Sequence, residues 1–339
     1  EGSSLRSRLF GNIDRFSELG SKTAPLSNLA PKLPGARIVM EKVLGISRER
    51  ELPTFRRETL VEWFEARGGA SVPEHEATAK VLLFPDTYTN YSYPEPGKAA
   101  IEVLEAANIH VHIPDDIEPS GRASFSMGFL DQATDYARHN VDELVPYVGE
   151  GWSVVFIEPS DAVMFQDEYL DLLQGRDVEL VSGSSYGIME YLDVMRVDEA
   201  LEFDAPDETL SYHGHCNQKA TMKDHHAVGV LRRAEYEVDP LDSSCCGMAG
   251  SFGYEAEHYE LSQAIGQILF RQIEQSPGDV VTAPGASCRS QIGDRDDESQ
   301  PPHPIEKMVE ALSASESGRA EERGAANGNR EVALRSAND

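Results

Sequence analysis

The sequence predicts an α/β protein of two pseudo-repeated lobes, with mostly parallel sheets flanked by helices, behind an N-terminal helical extension. Three observations predict it. From Lys80 onward, short apolar runs alternate with amphipathic helical patterns. The same alternation starts again after residue 200, which marks an internal duplication. Hydrophobic residues make up 40% of 339, enough for a substantial core.

The elements follow in order. Residues 1–79 read as a helical and loop extension rich in Arg, Pro and Gly. Its opening, "GNIDRFSELGSKTAPLSN", is a lead-in. "FRRETLVEWFEARGG" is an amphipathic helix stopped by Gly68-Gly69, with Trp63 and Phe64 packed on the body. The first lobe is expected over 80–200. "KVLLFPD", "IHVHIPDD" and "WSVVFIEPSD" are its strands. "EPGKAAIEVLEAAN", "MGFLDQATDYARHNVDELVPYV" and "VMFQDEYLDLL" are its helices, and "SSYGIMEYLDVMRVDEA" is a helical linker. The second lobe, over 201–313, repeats the order. "TLSYHGHC", "YEVDPLDSSCCG" and "DVVTAPGASC" are strands that run into loops. "NQKATMKDHHAVGVLRRA", "EAEHYELSQAIGQILFRQI" and "HPIEKMVEAL" are helices. Residues 314–339 are polar and read as a disordered tail.

Three landmarks tie the lobes together. "FPDTYTN" aligns with "YHGHCNQ", setting Tyr88 against Cys216. "PSGRASFSMG" aligns with "CCGMAGSFGY", setting Gly121 against Gly247. "IEPSD" aligns with "PGASC", setting Asp161 against Cys288. Parallel α/β sheets build their sites from loops at the carboxyl ends of strands. All four cysteines fall in such loops, and all in the second lobe.

Cys216, Cys245, Cys246 and Cys288 are thus expected to converge on one sheet edge. Thiolates are soft donors that select iron–sulfur clusters, zinc or Cu(I). Two consecutive thiolates point in different directions, which suits a multi-metal cluster better than a single zinc held by C-x-x-C spacing. Gly247, Gly250 and Gly253 would let backbone pass close to a cluster, with N–H groups facing its sulfurs. Buried reduced cysteines and a zinc site remain the alternatives. Redox chemistry at Cys245-Cys246 is disfavoured because a vicinal disulfide is strained. His213 and His215, on one face of a strand, are candidates to bind or tune the centre. Arg289 and Arg122 are candidates for an anion site between the lobes. Asp161 and Glu158 read as a structural turn, and His225-His226 as surface. There is no complete P-loop or dinucleotide fingerprint.

"YHGHCNQKA", "SSCCGMAGSFGYEAEHYELSQAIG" and "APGASCRSQI" resemble the cysteine-rich CCG domains. This family includes a heterodisulfide reductase subunit, the iron–sulfur subunits of glycolate and anaerobic glycerol-3-phosphate dehydrogenases, and the C-terminal part of FAD-linked D-lactate and D-2-hydroxyglutarate dehydrogenases. The resemblance spans about residues 12–312. It implies an iron–sulfur electron-transfer module in which Cys216, Cys245, Cys246 and Cys288 hold a cluster of 4Fe-4S type. It also implies FAD on a partner dehydrogenase subunit, a ferredoxin-like subunit, and a membrane quinone or other acceptor. Two departures stand out. Gln291 replaces the family's last cysteine, which points away from a five-thiolate cluster. The first lobe lacks the second CCG, with Pro119-Ser120-Gly121-Arg122 in its place, and is expected to bind no cluster. No ferredoxin-like cysteine run or flavin-binding segment is seen, so the chain resembles the C-terminal module alone. The alternative is a zinc-stabilised or cluster-free structural subunit of the same complex.

The formal net charge is -29, from 59 acidic and 30 basic residues. Such a field repels nucleic acid and anionic lipid. It reads as a solvated surface suited to a high-salt cytoplasm, with any membrane association running through a partner. No apolar run approaches the ~18 residues of a transmembrane helix. The start carries neither an apolar signal region nor an initiator Met, as in a chain processed or cut from something longer. If self-repulsion limits stability, added KCl should raise the melting temperature. A flat or falling melting temperature from about 0.1 M upward, where the Debye length is already ~10 Å, would remove the halophilic reading.

Overall fold

The computed structural model describes residues 3–295 and 300–313; the expected tail over 314–339 lies outside them. The chain begins with four helices, α1 (Leu5–Gly11), α2 (Ile13–Lys22), α3 (Leu26–Leu29) and α4 (Ala36–Leu44), in keeping with the expected N-terminal helical extension. Helix α5 (Leu60–Ala66) starts at a capping box. The Thr59 hydroxyl accepts from the Glu62 N–H at 3.1 Å, and the Glu62 carboxylate accepts from the Thr59 N–H at 2.9 Å.

The first sheet holds β1 (Ala79–Leu83), β2 (Ile109–His112), β3 (Ser153–Phe156) and β4 (Ser185–Gly187), all parallel, in the order β2-β1-β3-β4. Between β1 and β2 lie α6 (Thr87–Tyr91) and α7 (Glu95–Ala106). Between β2 and β3 lie α8 (Arg122–Ser126) and α9 (Leu130–Gly149). Then come α10 (Pro159–Val163), α11 (Tyr169–Leu172) and α12 (Arg176–Gly183) before β4, and α13 (Ile188–Val194) after it. Strand β4 corrects the reading of "SSYGIMEYLDVMRVDEA" as a linker. Three residues are too few to show a period, so the strand is hidden in the sequence.

The second sheet holds β5 (Thr209–Tyr212), β6 (Glu237–Pro240) and β7 (Val280–Thr282), again parallel, in the order β6-β5-β7. Its helices are α14 (Cys216–Ala220), α15 (His225–Arg233), α16 (Tyr259–Gln275), α17 (Ala286–Gly293) and α18 (Pro304–Ala311). The single helix expected over "NQKATMKDHHAVGVLRRA" is two, divided at Met222, which adopts φ +58°. The shared order β2-β1-β3 and β6-β5-β7 is the duplication in three dimensions.

Burial on both faces explains the continuous apolar strands. Val81 and Leu83 of β1 face one core, with Ile101, Leu104, Leu192, Leu231 and Met308. Leu82 and the following Phe84 face another, with Leu144, Phe156 and Phe165. The first core runs from sheet to sheet through α7, α13, α15 and α18, which pack together between the two lobes.

Among the contacts that fasten the extension, one is deeply buried. Arg50 is 1% exposed and reaches into the second lobe. Its guanidinium donates to the Gly253 carbonyl (3.0 Å), Gln291 Oε1 (2.6 Å), Asp294 Oδ2 (2.7 Å) and Ser262 Oγ (3.1 Å). Burial pushes the Asp294 carboxyl up, and Arg50 pulls it back. Removing one member of such a buried set leaves the others unpaired, so Arg50→Ala should cost about 3–5 kcal/mol. Arg48→Ala should cost under about 1 kcal/mol, because that side chain is half exposed and its nearest pairing, to Glu41, is 3.5 Å. Chemical denaturation of both variants checks the difference; equal losses would refute the assignment to Arg50.

Candidate metal centre

The four cysteines meet at the carboxyl edge of the second sheet. Cys216 is the first residue of α14, just after β5. Cys245 and Cys246 lie in the loop after β6, and Cys288 is in the first turn of α17, after β7. All four are free, with Cys246 3% and Cys288 1% exposed. They lie near enough to shift one another's ionisation in series: Cys216 with Cys245, Cys245 with Cys246, Cys246 with Cys288.

Local sequence explains how the loops approach. Gly247 has φ +96°, and a Cβ there would stand 2.3 Å from the Ser262 carbonyl, so only glycine fits both the turn and the contact. The Gly247 N–H points at Cys245 Sγ at 3.3 Å, as expected of a glycine beside a sulfur centre. Gly250 also has positive φ and lines the neighbouring cavity, with nothing within 4 Å of its notional Cβ. Lys219 of α14 donates to the Ser243 carbonyl, tying the Cys216 helix to the Cys245–Cys246 loop. Leu241, Met248, Tyr254, Leu269, Phe270 and Ala283 form an apolar shell with Cys246 and Cys288.

The sulfurs ionise unequally. The neighbouring Cys216 and then Cys246 hold Cys245 down to about 2, and Cys245 in turn pushes both of them up. Cys246 holds Cys288 well below its ordinary value, with help from His213 and His215. Two of the four sulfurs, Cys245 and Cys288, are thus held as thiolates, the form that binds metal. Around a single zinc with Zn–S ≈ 2.3 Å, sulfurs would sit roughly 3.8 Å apart. Among the described residues, the ligand-atom groups lying within 4.8 Å of one another are Asp193–His225–His226 and Asp116–His139–Glu143; no trio of these thiols closes to that distance. The four-thiol donor set and the Gly247 N–H contact to a sulfur fit a cluster.

His213 and His215 lie beyond the end of β5 rather than on a strand. His213 Nδ1 meets Ser243 Oγ at 2.6 Å and its buried ring faces Cys288. His215 caps α14 through Nδ1, accepting from the Asn217 N–H at 3.3 Å. Its Nε2 lies 3.9 Å from Glu158, and Gly285 packs on its ring. Arg289 is 5% exposed and stacks over Tyr93, 5.4 Å from the ring centre. It does not line the cavity where Arg122 pairs with Glu168 at 2.5 Å, so the two arginines do not form the anticipated anion site. His226 pairs with Asp193 at 2.6 Å, at the start of α15 instead of mid-helix.

The first lobe repeats the frame with different groups. Gly121 has φ +85°, matching Gly247. Ser120 and Asp161 stand where Cys246 and Cys288 stand, and the Ser120 hydroxyl donates to the Asp161 carboxylate. Strand pairing shifts one landmark: Val81 opposite Ser153 corresponds to Leu210 opposite Val280. That offset sets Thr87, not Tyr88, against Cys216. Asp86 caps α6 through Oδ1, and its Oδ2 has no partner among the described residues. Burial raises Asp86 to about 6, and burial with the charges of Asp86 and Glu158 raises Asp161 well above its usual range. Glu158 spans the lobes, its Oε2 accepting from the Ala286 N–H at 2.9 Å where α17 begins. Sequence reasoning missed Glu158's reach and Arg50 altogether; the only signal for either was an acid or arginine in a segment read as surface.

Comparison with known proteins agrees with the duplicated frame. The family model for the CCG cysteine-rich domain matches residues 82–150 and again 211–293. The chain is similar to a subunit of the anaerobic glycerol-3-phosphate dehydrogenase of Escherichia coli (strain K12), 29% identical over 321 residues, covering 91% of this chain and 78% of that protein. It is similar to the D-2-hydroxyglutarate dehydrogenase of the same organism, 24% identical over 326 residues, covering 91% of this chain but 30% of that protein. Lactate utilization protein A of Halalkalibacterium halodurans is 24% identical over 253 residues, 71% of this chain and 100% of that protein.

If one lobe holds the metal, Cys288→Ser should sharply lower iron content, while Asp161→Ala leaves it unchanged. Iron analysis of anaerobically purified variants decides; equal loss in both would refute a single site.

Proposed function

Because the chain belongs to the cysteine-rich CCG-domain family, we propose that it is the iron–sulfur electron-transfer module of an FAD-linked dehydrogenase acting on a 2-hydroxy acid or glycerol 3-phosphate. The observation that carries this reading is the convergence of four cysteines from three strand ends onto one apolar-backed edge. In it, Cys216, Cys245, Cys246 and Cys288 hold a 4Fe-4S cluster. When bound, such a group supplies one-electron transfer. The chain's residues do the rest. The Gly247 N–H and His213 face ligand sulfurs, where hydrogen bonds set a potential. Gln291, held by Arg50, fills the place of a fifth thiolate.

Hydride abstraction needs a two-electron acceptor in contact with the substrate carbon. That acceptor is the flavin of a partner subunit or domain, with a ferredoxin-like subunit as a further carrier and a quinone or another acceptor at the end. The partner's docking face is assigned to the extension. Leu5, Phe16, Leu19, Leu26, Leu29, Leu33, Ile38, Val39 and Val43 are exposed there, a concentration that marks interaction surfaces. Residues 1–50 carry nine Lys and Arg against five Asp and Glu, the reverse of the whole chain. An acidic partner meets least repulsion at this face. Among the described residues no helix is long and apolar enough to cross a membrane.

The anaerobically purified chain should be brown, with a broad band near ~400 nm from thiolate-held iron. It should not reduce dyes with D-lactate, D-2-hydroxyglutarate, glycolate or glycerol 3-phosphate until its flavoprotein is added. A colourless protein with one zinc would reject the cluster, and turnover by the chain alone would reject the module reading.

A further inference from the structure

A second cluster of metal-ligating side chains contains no cysteine and joins the two lobes. Asp193 lies in the last turn of α13 in the first lobe, and His225 and His226 open α15 in the second. One ligand atom from each of the three lies within 4.8 Å of the other two. We propose that Asp193, His225 and His226 bind a divalent transition ion of the zinc class, which fastens one lobe to the other.

The donor set supports it first. Two imidazoles and one carboxylate suit zinc and its imidazole-seeking neighbours better than magnesium or calcium, which prefer all-oxygen sites. With bonds of about 2.0–2.1 Å, donors around a tetrahedral ion stand roughly 3.3 Å apart. His226 Nδ1 and Asp193 Oδ2 are 2.6 Å apart. An ion would therefore displace the shared proton to solvent and open this pair by less than about 1 Å, with water in the fourth position.

The state of His225 is the second support. It is exposed, and its ring lies 4.1 Å from that of His226, centre to centre. Among the described residues it has no hydrogen bond or ion pair. Consecutive residues of a helix diverge by about 100°, yet these two rings converge on one carboxylate. An imidazole so placed and otherwise unused is available as a ligand.

Charge is the third. Asp193 and Asp198 share one guanidinium: Arg233 donates through Nη2 to Asp193 Oδ1 at 2.5 Å and through Nε to the Asp198 carboxylate. One negative charge is left over among these three groups. Arg233 also fixes the Asp193 carboxylate from behind, so that Oδ2 faces the imidazoles. A hydrogen bond on the far side of a ligand is how such ligands are oriented.

Position sets the role. Helices α13 and α15 pack on each other between the lobes, with Leu192 and Leu231 in the shared core. An ion held by both helices binds only the docked lobes and stabilises them by mass action. The cavity of about 1020 Å³ that runs from the extension to Cys216 and Cys246 is lined by none of the three residues. The site thus stands apart from that chamber, and its role is structural.

The test titrates Zn²⁺ into the anaerobically purified chain, freed beforehand of loosely held metal, and follows binding by calorimetry. Wild type should take up one equivalent more than His225→Ala, or bind it about tenfold or more tightly. His225 makes no hydrogen bond, so this variant should keep the iron content and the zinc-free melting temperature of wild type. With zinc at about 100 times its Kd, wild type should melt several degrees higher and His225→Ala should not. Mg²⁺ and Ca²⁺ in large excess should leave the zinc in place. Equal uptake by wild type and His225→Ala would assign the zinc to the thiols and overturn the site. Displacement by Mg²⁺, or a wild-type melting temperature indifferent to zinc, would overturn it as well. The comparison reads the same whether the chain is brown or colourless, so its failure is distinct from failure of the cluster reading.

Discussion

The burial of the Arg50 guanidinium is the constraint from which much of this architecture follows. A guanidinium is always charged, and removing it from water is costly unless each donor is met. Here Gly253, Gln291, Asp294 and Ser262 meet it. These partners come from the turn after the cysteine pair, from the Cys288 helix and its end, and from α16. One side chain therefore fixes the relative position of the elements that carry three of the four sulfurs. With the Arg6–Glu257 pair and the Ser47–Tyr254 backbone bond, the same contact helps hold the extension down, and the extension lines the cavity that also reaches Cys216 and Cys246.

The duplicated frame shows what a shared backbone does and does not determine. Both lobes place a positive-φ glycine after the second strand and a short helix after the third. In the second lobe this frame brings thiols into contact. In the first it brings a hydroxyl to a buried carboxylate. Soft donors and hard donors thus occupy equivalent positions a short distance apart. The two are joined by Glu158, which leaves the first lobe to cap the start of the helix carrying Cys288. The hydroxyl–carboxylate pair and the thiols are, in this arrangement, counterparts within one repeated frame.

Much of this was legible in the sequence, for identifiable reasons. Strands buried on both faces read as "KVLLF" and "VVF" because parallel sheets cover both sides. The cysteine edge was legible because a parallel α/β unit turns strand ends into site loops. Other features depended on tertiary contacts with no local period. Strand β4 is too short to pattern, and the helix expected after Cys216 divides at a left-handed Met222. The pairing of Tyr88 with Cys216 was off by one because a repeat aligned on sequence ignores strand register, which sets Thr87 there instead. Arg289 was misassigned because an arginine next to a cysteine looks alike whether it faces a site or, as here, turns away to stack on Tyr93.

Net charge requires a last distinction. A value of -29 describes the chain's far field, which governs long-range encounter and salt response. It does not describe each face. Residues 1–50 of the extension carry more basic than acidic residues, and most of its exposed side chains of large apolar type lie on α1–α4. Within a Debye length of about 8 Å at physiological salt, an approaching surface responds to that local composition more than to the distant acids. The acidic bulk and the basic, apolar extension are therefore compatible. The bulk keeps copies of the chain apart, and the extension leaves one face on which a partner can settle, directly over the wall of the cavity that leads to the sulfurs.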